Sequence, residues 1–151
     1  MKLPSSLLSS FLSLTLVIGL HAESAPKTIS IGAFDTMKFS VNKIEAAPGQ
    51  KITIELKNAG TLPKEAMGHN WILLKAGSDA RAYANQAVKA AAQDYQPPAL
   101  AAEVVASIKL LGPSETGSVT FKAPMAPGSY PFLCSFPAHY QSGMKGVLVI
   151  K

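Results

Sequence analysis

Apolar and polar residues alternate with a period of two along much of this 151-residue chain. The cleanest run is 51–57, where Ile52, Ile54 and Leu56 fall on one face between Lys51, Thr53, Glu55 and Lys57; it predicts a half-buried strand. Residues 27–32 repeat the pattern with Ile29 and Ile31. Residues 37–41 repeat it with Met37, Phe39 and Val41 on one side, and Ile44 continues it. Residues 69–75 read differently: Trp71, Ile72, Leu73 and Leu74 are consecutive, as expected of a strand covered on both faces. Trp71, two residues from His69, shares its side of the sheet and is a core residue. Strands are also predicted at 118–122, 128–134 and 145–150, the last two joined by a short loop.

The punctuation between these runs is that of a β domain. Ala47-Pro48-Gly49-Gln50, Gly112 to Gly117 and Ala123 to Gly128 are turns in which proline presets φ and glycine accepts positive φ. One segment breaks the rule. Residues 78–93 are alanine-rich and helix-prone, with Ser78 placed to cap and Asp79 to complement the N-terminal dipole, and Pro97-Pro98 stops them. Residues 101–105 read as a further helical turn and 106–111 as an edge strand. The fold class is therefore all-β: a two-sheet sandwich of seven or eight short strands, with residues 76–112 as an excursion between two of them.

Composition narrows the class. Apolar residues make up 48% and charged ones 15%, which is globular. The net charge of +5 is spread singly over 14 Lys and Arg, without a basic run, so nucleic acid is not an expected partner. Residues 1–22 read as a secretory signal peptide: Lys2 supplies the positive start, and Leu7 to Leu20 is apolar but too short to span a bilayer. The mature domain is then 23–151, and the expected location is periplasmic or otherwise exported. Membrane contact is expected only through partners or an uncleaved signal. No cysteine stands directly after the apolar run, so a lipoprotein anchor is not expected.

Export changes the meaning of the single cysteine, Cys134. No internal disulfide is possible, and a lone thiol in an oxidising compartment is a liability unless something occupies it. Two histidines remain beyond the signal, His69 and His139. Cys134, His139 and Met144 lie within eleven residues across the last loop, and His69 opens the doubly buried strand. Two imidazoles, a thiolate and a thioether are the donor set of type 1 copper, trigonal with a weak axial sulfur. Zinc also takes Cys and His, but methionine is a poor zinc ligand. A Cys–His nucleophile lacks any orienting third group near the loop. A reductase normally needs a second metal site, for which no histidine remains, so no enzyme activity is expected. A copper carrier or storage protein is the alternative to an electron carrier, although only Met67 and Met125 are spare as mobile ligands.

The run from Leu62 to Trp71, with Gly68-His69-Asn70 inside it, together with Phe132 to His139 and Met144 to Leu148, closely resembles the azurin family of blue copper proteins, the cupredoxins. Asp94-Tyr95, Lys109 to Gly112 and Ser118 to Phe121 extend the likeness over nearly all of residues 29–151. Four residues separate His139 from Met144, a spacing similar to auracyanins. The resemblance implies a Greek-key sandwich of about eight strands with a helical flap inserted around residues 78–105, one copper ion, equatorial His69, Cys134 and His139, axial Met144, and the Gly68 carbonyl near the opposite axial position. It implies backbone N–H groups of Asn70 and Phe136 aimed at the Cys134 sulfur, with the Asn70 side chain joining the two ligand-bearing segments. It further implies an apolar docking patch around His139 from Leu62, Ala66, Met67, Phe136 and Ala138, serving redox partners such as cytochromes or a terminal reductase or oxidase, on a monomer. Ala138 stands where the family usually has glycine.

Overall fold

The computed structural model describes residues 24–151; the expected signal peptide lies outside the described residues. Two sheets face each other. The first has the order β2-β1-β4-β7, with β1 Lys27–Phe34, β2 Lys38–Phe39, β4 Lys51–Asn58 and β7 Thr116–Lys122. The second has the order β3-β9-β8-β5-β6, with β3 Lys43–Ala46, β5 His69–Leu74, β6 Val104–Leu111, β8 Gly128–Leu133 and β9 Lys145–Ile150. β1 runs parallel to β4 and β3 parallel to β9, while the other neighbours are antiparallel.

The period-two pattern sets the core. Ile52, Ile54 and Leu56 are buried on β4, and Ile31 and Ala33 on β1. They meet Trp71, Leu73, Phe132, Leu148 and Ile150 of the other sheet. Trp71 packs against Phe132 and Phe121, with ring centroids 5.5 and 6.3 Å apart. All six residues of β5 are buried, as its continuous apolar run predicts. The two faces of β5 have different covers. Trp71 and Leu73 point into the sandwich, while Ile72 and Leu74 join Tyr83, Ala84 and Leu133 in a second cluster beneath the flap.

The flap is built from α2, Ala80–Ala87, then short 3₁₀ turns at Ala91–Gln93 and Pro98–Glu103. Its cap is Asp79 rather than Ser78: the Asp79 carboxylate accepts from the N–H groups of Arg81 and Ala82, each at 3.0 Å. Tyr83, Ala84 and Ala87 form its buried face. The alanine-rich sequence would sustain a longer helix, but the chain must come back to the sheet edge, where β6 begins two residues earlier than predicted.

Three other differences from the sequence reading have local causes. Residues 37–41 do not form one strand. Met37 adopts positive φ (56°) and closes a turn by donating its N–H to the Phe34 carbonyl (2.8 Å), so only Lys38–Phe39 pair with β1. The chain then crosses to the opposite sheet, where Ile44 pairs with Leu148 of β9. Between Thr61 and Gly68 lies α1, Lys64–Met67, a single turn with Pro63 before it and extended Gly68 after it.

Candidate metal centre

The site lies at the pole where β5 starts and β8 ends. Opposite His69 and Trp71 the register on β6 runs from Leu111 to Ile108, so β6 carries one extra residue beside His69. Such a bulge locally re-aims side chains. The loop from Cys134 to Met144 is pinned at both ends. Cys134 N–H donates to the Met144 carbonyl (3.0 Å), and Met144 N–H donates to the His139 carbonyl (2.9 Å). Within it His139 N–H reaches the Phe136 carbonyl (3.1 Å), and Gly143, at φ 94°, provides the reversal that returns the chain to β9.

These constraints bring His69, Cys134 and His139 together, with their donor atoms all within 4.8 Å of one another. The Nδ1 atoms of the two histidines are 3.3 Å apart, and Cys134 Sγ is 3.4 Å from His139 Nδ1. Relative exposure is 0% for His69, Cys134 and Met144 and 1% for His139. Two imidazole nitrogens facing each other so closely, beside a sulfur and sealed from water, need a proton or a cation between them. Burial pushes His139 down to about 4, helped by neighbouring His69, and lowers His69 as well. Both imidazoles are therefore neutral near pH 7 and offer lone pairs. The donors present fit a copper ion.

Cys134 is held in opposition. Complete burial pushes its thiol up to about 12, while hydrogen bonds from the backbone N–H groups of Asn70 and Phe136 pull it down. Those two donors are the ones the resemblance implies at the sulfur. The Asn70 side chain joins the ligand segments directly: its Oδ1 accepts from the Ser135 N–H (2.8 Å), and its Nδ2 donates to Ser135 Oγ (2.8 Å).

Sequence reasoning missed the flap's part in this network. Asn70 Nδ2 also donates to the Asp94 carbonyl (2.8 Å), and Ser135 Oγ donates to the Tyr95 carbonyl (2.6 Å). Asp94 and Tyr95 are consecutive residues at positive φ, 54° and 58°, a conformation that costs about 1–2 kcal/mol per non-glycine residue. Two adjacent carbonyls on the inserted segment thus meet Asn70 and Ser135. The Asp94-Tyr95 pair was visible in the sequence, but nothing in its pattern announced the left-handed backbone. Asp35 is a second omission. Its carboxylate accepts from Thr61 N–H (2.8 Å), which lowers its pKa, and its charge opposes the fall in the His69 pKa.

Of the residues expected in the docking patch, Leu62 is 44% exposed, Ala66 and Ala138 are exposed, and Met67 is half-buried. Phe136 departs from its expected place in the exposed patch. At 8% exposure it lies beneath the surface, its ring between Tyr95 (4.9 Å) and His139 (4.7 Å). His139 is itself covered, with the Phe136 ring against it. Gly68 is buried; a Cβ there would sit 2.7 Å from the Lys64 carbonyl oxygen, so glycine lets α1 pack against the start of β5.

A two-sheet sandwich with a buried His₂Cys cluster and a methionine at one pole has the architecture and donor set of a type 1 copper protein. Residues 27–151 match the family model for copper binding proteins of the plastocyanin/azurin family. The chain is 36% identical to azurin of Pseudomonas chlororaphis over 126 residues, 82% of this chain and 97% of that one. It is 32% identical to auracyanin-B of Chloroflexus aurantiacus over 130 residues, 85% of this chain and 54% of that protein, and so spans about half of that relative's length. The crystal structure of dithionite-reduced auracyanin from Roseiflexus castenholzii superimposes with a TM-score of 0.73 at 33% identity, covering 86% of this chain and 99% of that one. The chain belongs to the plastocyanin/azurin family of copper-binding proteins, and its cofactor is copper.

Proposed function

We propose that the protein is a one-electron carrier in which His69, Cys134, His139 and Met144, with the Gly68 carbonyl close by, would hold the copper ion. Bound there, copper would supply a reversible one-electron couple, taking an electron from one partner and giving it to the next. The observation that carries this reading is the convergence of three buried donors within 4.8 Å on two hydrogen-bonded segments. A frame fixed by β5, β8 and the Asn70–Ser135 bonds leaves the ligand side chains little room to move when charge changes. The Asn70 and Phe136 N–H groups withdraw charge from the thiolate, which raises the reduction potential. Complete burial of the donors speaks against a carrier that hands its metal on.

Electrons enter and leave near His139, beneath a small apolar mouth formed by Leu62, Ala66, Met67 and Ala138. Weak redox encounters use small, sparsely charged contacts. The partners are redox proteins such as cytochromes or a terminal reductase or oxidase. The protein acts as a monomer in the periplasm or another exported space, after residues 1–22 have directed export, and it has no turnover of its own. Nuclear magnetic resonance line broadening in mixtures of oxidised and reduced protein tests this. Electron self-exchange is expected, and Leu62→Asp slows it at least about tenfold by placing a charge in the contact. A measurable copper transfer to chelators without any self-exchange would favour the storage reading instead.

A further inference from the structure

The pole opposite the metal centre is basic and carries an apolar tip. β1 and β4 start there, and β3, β7 and β9 end there, as the pairs Lys27 with Ile52, Lys51 with Lys122 and Ala46 with Ile150 show. Lys27, Lys43, Lys51, Lys122 and Lys151 are all exposed. Among the described residues of this pole they are answered by Glu45 alone, which holds Lys43 at 3.0 Å and Lys151 at 2.8 Å and accepts from Lys27 through its carbonyl (2.8 Å). Lys51 and Lys122 sit directly opposite each other across β4 and β7, on the same outer face. Like charges in that position destabilise a sheet unless an anion lies between or over them.

At the tip, the turn between β7 and β8 presents Met125, 73% exposed, next to exposed Ala126 and Pro127, with exposed Pro48 on the neighbouring turn. Met125 is the most exposed of the large hydrophobic residues described. The N-terminal segment enters the domain here too, because the Ala25 carbonyl accepts from Gln50 Nε2 at 2.7 Å.

We infer that this pole rests on an anionic lipid surface. Lysines attract acidic headgroups while their stems and a protruding methionine reach the acyl boundary. A convex apolar tip ringed by cations suits a deformable headgroup layer better than a preformed protein pocket. Seated this way, the domain turns its metal centre away from the bilayer. The inference stands on the distal pole and does not depend on what the metal centre does.

The test is vesicle flotation of the full chain. The readout is the affinity for phosphatidylcholine vesicles containing phosphatidylglycerol divided by that for phosphatidylcholine alone, a ratio insensitive to neutral insertion of an apolar N-terminus. The ratio is expected to exceed one clearly and to collapse in high salt. Joint substitution Lys51→Gln and Lys122→Gln lowers it about tenfold, while the melting temperature rises because the like-charge pair is gone. Met125→Ser lowers affinity for the anionic vesicles. The pair Lys57→Gln and Lys89→Gln, an equal charge change away from the pole, leaves the ratio unchanged. A ratio of one in the native chain overturns the inference and leaves an acidic protein face as the occupant. An equal fall in the control pair also overturns it, since net charge alone would then suffice.

Discussion

Ala138 shows how much of the site's cost is carried by single backbones. It sits at φ 68° beside His139, in a conformation that crowds Cβ against the following carbonyl oxygen. Ala138→Gly relieves that strain, offset in part by the greater freedom of glycine in the unfolded chain, so the variant is expected to gain about 0.5–1 kcal/mol. Chemical denaturation of the metal-free protein measures it. The buried imidazoles set a pH dependence whose sign is fixed. His139 titrates at about 4 when folded, against an ordinary value of 6.5. Between those values the unfolded chain binds the extra proton, so stability is full above 6.5 and falls as pH drops toward 4. Metal-free melting temperatures should decline over that window, and His139→Gln should flatten the decline. The ligands were legible in the sequence because soft donors are scarce: one cysteine and two histidines beyond the signal leave little choice. The roles of Asp94 and Tyr95 were not legible, because they rest on backbone carbonyls and left-handed φ values that side-chain identity does not report, and without those carbonyls the Ser135 hydroxyl had no visible partner.

Among the elements, β5 and β4 were readable because their burial patterns follow directly from residue type. β3 was not, since Ile44 is equally apolar whichever sheet it joins; its place is decided by pairing with Leu148, far along the chain. α1 escaped notice because a single turn has no periodicity to detect. The link between the last strand and the core is tight at Gly146, where a side-chain methyl would overlap both the Phe132 ring and the Asn42 carbonyl. Phe132 in turn packs on Trp71 and on Phe39, with ring centroids 5.5 and 5.9 Å apart. Gly146→Ala is therefore expected to cost about 1–3 kcal/mol through overpacking. Because Met144 lies two residues upstream, the same substitution should shift the optical spectrum of the copper form. Loss of stability with an unaltered spectrum would show that strain at β9 stops short of the ligand loop.

At the scale of the whole molecule, the sandwich holds a closed, buried donor cluster at one pole and a charged, solvent-facing surface at the other. Among the described residues no helix is long and apolar enough to cross a membrane. Titration of the metal-free protein with copper, while the visible spectrum is recorded, tests whether His69, Cys134, His139 and Met144 form one type 1 copper centre. An intense thiolate-to-copper absorption is expected, saturating at a single copper per chain and vanishing in Cys134→Ala. Copper uptake without that absorption, or an absorption that survives Cys134→Ala, would contradict it.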